Sequence, residues 1–97
     1  MNYDSYALRN DTPGMLYVHL CADPACARLD RHFEWITVRP GAAMEEQVYW
    51  GPGESAGYAV ASDPATGSAW QCLVLDAAAK APTTVDAPLS SASTCAR

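Results

Sequence analysis

No stretch of this sequence approaches the roughly 18 to 20 uninterrupted apolar residues that a membrane-spanning helix needs. The longest apolar run, Leu73 to Leu75 followed after Asp76 by three alanines, falls far short, so no insertion into a membrane is expected. Cations are scarce as well: six Lys and Arg stand singly along a chain of net charge −5. With no row of positive charge to neutralise phosphates, nucleic acid and anionic membrane surfaces drop out as expected partners. Histidine is limited to His19 and His32. Neither lies in a local signature that would make it the base for a cysteine nucleophile. The sequence also lacks a Gly-rich phosphate loop, a Ser nucleophile elbow and calcium-loop spacing. The carboxylates Glu34, Glu45, Glu46 and Glu54 read as solvated charges or as protection of a strand edge rather than as a catalytic pair. The expectation is a protein that is not an enzyme, with no catalytic residue, no cofactor and no metal. Met1 to Ser5 carry neither a basic nor an apolar stretch, so no secretion signal is expected at this end, and a cytosolic home does not follow from that.

What is present is 97 residues of which 49% are apolar, enough for one folded domain and too much for a disordered chain. Between Tyr3 and Leu75, short segments of alternating polarity are punctuated by turn chemistry, the rhythm of an all-β sandwich. Asn10-Asp11-Thr12-Pro13-Gly14 predicts a turn closing a first hairpin, because its side chains cap turns and its Pro and Gly fix and free φ. That turn also satisfies the glycosylation sequon, which the turn chemistry explains without a glycan. Leu16, Val18 and Leu20 predict the core face of a second strand, with Tyr17, His19 and Cys21 on the other. A third strand is predicted from about Phe33 to Arg39, with Ile36 and Val38 buried, ended by a Pro40-Gly41 turn. The fourth, about Ala43 to Trp50, has Glu46 on its apolar face and therefore reads as an edge. Tyr58 and Val60 mark a fifth strand. The sixth, Ser68 to Asp76, is apolar on both faces and reads as central. Beyond Ala77 the chain turns to Ala, Pro, Ser and Thr, with a single helical turn conceivable at Asp76 to Lys80. Thr83 to Val85 have strand propensity to pair back on the sixth strand before Pro88 ends the ladder. The expected architecture is all-β: a single antiparallel sandwich of about seven strands over residues 1–89, and a tail at residues 90–97 tethered through Cys95.

Four cysteines allow three complete pairings. In an antiparallel order Cys21 ends the second strand and Cys26 precedes the third, at the same end of the sandwich. Cys72 lies early in the sixth strand, where a seventh strand would deliver Cys95. The predicted bridges are Cys21 to Cys26 and Cys72 to Cys95, with Cys21 to Cys72 as the alternative. Such bridges persist in an oxidising compartment, so an extracellular or periplasmic home is expected. A Cys₄ zinc site would use paired short knuckles, whereas only Cys21 and Cys26 are close here. Phe33 and Trp35 on the outer face of the third strand, with Tyr49 on the fourth, predict an aromatic platform if the two strands are neighbours. Trp50, at the head of the following loop, completes the candidate binding set.

The Asn-Asp-Thr turn, the Cys-Ala-Asp-Pro-Ala-Cys loop, Val-Arg-Pro-Gly before an acidic strand and the late Gln-Cys-Leu-Val-Leu strand together resemble small secreted immunoglobulin-like sandwich modules of bacterial cell envelopes. The likeness covers residues 3 to 76 and implies an accessory or binding role outside the cytoplasm, with no catalytic residues to carry over. Three functions follow as expectations. The first is a binding module holding a protein or glycan on its aromatic face. The alternatives are a metal-binding or redox protein that uses cysteine thiolates, and a structural module of an envelope assembly.

Overall fold

The computed structural model describes residues 2–50, 55–63, 70–76 and 84–95, excepting the side chains of residues 2–4, 47–50 and 76. Among the described residues there are seven strands: β1 (Asn2–Arg9), β2 (Leu16–Leu20), β3 (Ile36–Val38), β4 (Ala43–Trp50), β5 (Ser55–Ala61), β6 (Gln71–Asp76) and β7 (Thr84–Pro88), the last followed by a 3₁₀ turn at Leu89–Ser91. They form a three-stranded sheet in the order β4-β1-β7 and a four-stranded sheet in the order β3-β2-β5-β6. The all-β architecture with two sheets is as expected. One pairing departs from a wholly antiparallel arrangement, because β7 runs parallel to β1, with Tyr6 opposite Val85 and Leu8 opposite Ala87.

Alternation sets the core. Tyr6 and Leu8 of β1 and Ala87 of β7 face Val18, Val38, Tyr58, Val60, Leu73 and Leu75 of the other sheet in one buried cluster, which Leu89 closes. Burial of such side chains stabilises by about 1.5 to 3 kcal/mol each, so this shared cluster is what makes two sheets into one unit.

The first hairpin does not form. Asn10 to Gly14 lead the chain from β1 in one sheet to β2 in the other. Asn10, 0% exposed, holds this crossing against the one between β3 and β4. Its amide donates to Gly14 O and Val38 O, each at 2.8 Å, and its carbonyl oxygen accepts from Thr12 N at 3.0 Å and Thr12 Oγ1 at 2.6 Å. Its backbone N–H donates to Ala42 O at 2.9 Å and its backbone O accepts from Gly41 N at 2.8 Å. Gly41 has the positive φ, 80°, that the Pro-Gly turn requires.

Four further expectations change. The third strand starts at Ile36 rather than Phe33, because Asp30 turns the chain: its carboxylate accepts from His32 N and its backbone O from Phe33 N. Ile36, expected in the core, is 44% exposed on the short strand at the sheet edge. β6 is an edge strand, not a central one, and β7 pairs with β1 instead of β6. The tail pairs with the edge of β6, where Cys72 and Ser93 exchange backbone hydrogen bonds of 2.7 and 3.0 Å, while Val74 on the second face of β6 stays 49% exposed. Cys95 is bonded to Cys72, and the expected boundary after residue 89 lies within the 3₁₀ turn Leu89–Ser91. β4 is an edge strand as read from Glu46. The single turn expected at Asp76 to Lys80 and the loop after Trp50 lie largely outside the described residues.

Charged pairs fasten the ends. Arg9 donates from Nε and Nη2 to the two carboxylate oxygens of Asp86 at 3.0 and 2.8 Å, and this pairing lowers the Asp86 pKa. Asp11 accepts from both the backbone N–H and the hydroxyl of Ser90 at the 3₁₀ turn, which holds its pKa below the usual carboxylate value.

Candidate functional site

On its outer face β5 carries Gly57, Ala59 and Ala61, alternating with the core residues Tyr58 and Val60. These small residues make a floor in the middle of the four-stranded sheet. Register places His19 of β2 and Cys72 of β6 on either side of Ala59, which is 0% exposed. Larger groups from the flanks then close over the floor: Cys21, Cys26 and Cys72 pack with Leu29, Trp35, Trp70 and Cys95 into a second, separate cluster.

Both disulfides lie in this cluster. Cys21 bonds Cys26 and Cys72 bonds Cys95, with Cα separations of 5.1 and 4.9 Å. The first bridge closes a loop that sits directly on Gly57, whose backbone O accepts from Cys21 N at 2.9 Å. The loop is rigid on its own account. Asp23 O accepts from Cys26 N, the Asp23 carboxylate from Ala27 N, and Arg28 O from Ala22 N, all within 3.0 Å. Cys26 has a positive φ of 57°, a conformation unusual for a residue other than glycine and held here by the bridge and these bonds.

Trp35 meets the edge of the His19 ring at 5.2 Å between centroids and tilts against Trp70 at 6.4 Å. His19 is itself buried, and its Nδ1 donates to Leu20 O at 2.8 Å, so this histidine is a packing residue that keeps Trp35 upright. The ring of Trp35 is thereby partly covered by His19 and Trp70. Phe33, two residues earlier, is 54% exposed. Tyr49 and Trp50 lie on β4, opposite Tyr3 and Asn2 of β1 in the three-stranded sheet, and their side chains are outside the described residues. The cross-strand platform expected between the third and fourth strands is therefore not built, because the chain changes sheets at Pro40-Gly41.

The structure adds residues that local patterns did not single out. Trp70 comes to Trp35 from the start of β6, and its Nε1 donates to Cys26 O at 3.4 Å. A cleft of about 570 Å³ is lined by Ala22, Arg28, Leu29, Asp30, Arg31 and His32, the residue that precedes Phe33. A second cleft, of about 640 Å³, opens at the other end of the sheet between Thr12, Leu16, Gln71 and Ser90. The run Arg-Leu-Asp-Arg-His was the available signal for the first, since it holds two of the six Lys and Arg in the chain. On the inner side, partial burial raises the Glu46 pKa, and burial together with the Glu46 charge raises that of Tyr58.

Both disulfides leave no cysteine free, so the thiolate alternative has no ligand or nucleophile in this state. Among the described residues no three His, Cys, Asp or Glu side chains are grouped closely enough to hold a metal ion. No helix among them is long and apolar enough to cross a membrane. No family model, curated protein or solved structure matches this chain.

Proposed function

We propose that this chain is a non-enzymatic binding module of an oxidising, extracytoplasmic compartment, which recognises a protein or glycan through the surface around Phe33 and Trp35. The observation that carries the reading is an exposed phenylalanine two residues before a partly buried tryptophan that packs on the two disulfides and Ala59. A large, flat, pre-positioned side chain loses little entropy when it docks, which is why aromatic anchors dominate binding surfaces. The paired cysteines favour a secreted or periplasmic setting. The likeness to secreted bacterial immunoglobulin-like modules enters at the level of architecture, seven strands in two sheets. The strand distribution is this chain's own: β2 shares a sheet with β3 rather than with β1, whereas the immunoglobulin constant type keeps its first, second, fourth and fifth strands together.

Phe33→Ala is the test, because the ring is exposed and its loss leaves the core intact. Capture of a native partner from envelope extract or culture supernatant should fall sharply for F33A with an unchanged thermal midpoint, and for Trp35→Phe to a smaller extent, with a lower midpoint because Trp35 packs on His19 and Trp70. Equal capture by F33A and the wild type would overturn the reading.

A further inference from the structure

We propose that the cleft lined by Arg28, Arg31 and His32 binds an oligosaccharide bearing carboxylates, a uronic-acid glycan, with Arg28 and Arg31 on its charges and Phe33 against a sugar ring. The inference rests on the binding-module reading and names the ligand class of the same surface.

The placement of charge is the first argument. In a chain of net charge −5, Arg28 and Arg31 supply two of six Lys and Arg, and His32 is one of two histidines. All three line one cleft. Among the described residues neither guanidinium has an ion-pair or hydrogen-bond partner, in contrast to Arg9, which grips Asp86 with two bonds. Asp30, the one acid in the cleft, gives its carboxylate to His32 N at 2.9 Å. Two guanidiniums without a hydrogen-bonded partner among the described residues thus share one cleft with a single carboxylate, a local excess of positive charge in an acidic protein.

Rigidity is the second argument. The backbone bearing these side chains is tied down at Arg28 O by Ala22 N, at Asp30 N by Leu20 O, and through the Cys21 to Leu29 bridge. The Cys21–Cys26 disulfide closes the adjoining loop. Binding then costs little ordering of the main chain.

Shape and chemistry select the ligand. A cleft of about 570 Å³ suits a small ligand rather than a folded domain. A guanidinium matches a carboxylate with two parallel hydrogen bonds, which a compact ammonium cannot do. Phe33 presents a flat ring whose negative π face attracts the electropositive C–H bonds of a pyranose. An acidic protein segment would satisfy the arginines but offers nothing of fixed geometry to that ring.

The test is titration calorimetry of the wild-type protein, disulfides intact, with four probes: trigalacturonate, neutral maltotriose, a sulfated maltotriose that carries no carboxylate and a short polyglutamate peptide. Trigalacturonate should bind measurably and lose affinity as salt is raised. Maltotriose and polyglutamate should bind at least about tenfold more weakly. Arg28→Ala and Arg31→Ala should each weaken trigalacturonate by about tenfold, and Arg28→Lys by less, with unchanged thermal midpoints. Equal binding of polyglutamate makes the occupant an acidic peptide and overturns the glycan. Equal or tighter binding of the sulfated sugar overturns the carboxylate preference, and equal binding of maltotriose overturns the role of charge. No binding of trigalacturonate overturns the inference, and if F33A still abolishes native capture the binding-module reading survives it.

Discussion

A single methyl group at Gly57 should loosen the whole outer face. An alanine Cβ there would stand 2.7 Å from Pro24 O, 2.9 Å from Asp23 O and 3.0 Å from Cys26 Sγ, closer than real Cβ contacts run. Two of those atoms are backbone oxygens of a loop that its own disulfide closes, and Cys21 N is bonded to Gly57 itself at 2.9 Å, so the loop cannot retreat without breaking that bond. Overpacking of this kind costs about 1 to 3 kcal/mol. Replacing a glycine restores about 0.4 to 1 kcal/mol through the unfolded chain. A net loss of about 1 to 2 kcal/mol should lower the thermal midpoint of a domain this size by about 5 to 15 °C. Circular-dichroism melts without reductant would measure it for the wild type, G57A, Cys21→Ser/Cys26→Ser and the triple variant. With the bridge removed the loop is free to lift, so the cost of G57A should shrink by about half or more, a coupling visible in the double-mutant cycle. A G57A protein as stable as the wild type, or an equal cost with and without the bridge, would refute the packing argument.

Three other perturbations probe the remaining supports. Asn10→Asp keeps the shape but removes both amide donors from a buried site and leaves Val38 O without its partner; urea unfolding should show a loss of about 3 kcal/mol. Cys95→Ser opens the loop between residues 23 apart and should cost about 3 kcal/mol; hydrogen exchange should accelerate at the Cys72 amide, which donates to Ser93 O. Glu46→Gln should raise the thermal midpoint at pH 7 and leave it unchanged at pH 3. Burial raises the folded pKa of Glu46 above the unfolded one, so the folded state favours the protonated acid and loses stability as pH rises between the two values. Melts across pH that keep a constant offset between the two proteins would contradict the assignment.

Local chemistry in the sequence carried local outcomes. The Cys21–Cys26 and Cys72–Cys95 pairs were legible because each joins segments that strand direction alone brings to one end. Gly41 was legible from Pro-Gly, and the inner faces of β2 and β5 from the alternation of Val18 and of Tyr58 with Val60. Sheet membership was not. A turn such as Asn10 to Gly14 serves a hairpin or a crossing equally well, and the bond that decides, Asn10 to Val38 O, spans 28 positions. The same ambiguity at Pro40-Gly41 separated Tyr49 and Trp50 from Phe33 and Trp35. The parallel seat of β7 on β1 is likewise a long-range pairing with no local mark. Trp35 was legible as an aromatic on an outer face, but its partner Trp70 became visible only when Ala59 was seen to be a floor between them.

Everything proposed for the outer face depends on how the four sulfurs are joined. Intact mass with and without reductant, followed by proteolytic mapping of the unreduced protein, tests this most directly. The account predicts a deficit of about 4 Da, one hydrogen per cysteine, with Cys21 linked to Cys26 and Cys72 to Cys95. A fully reduced mass in protein recovered from an oxidising compartment, or a Cys21 to Cys72 linkage, would contradict it.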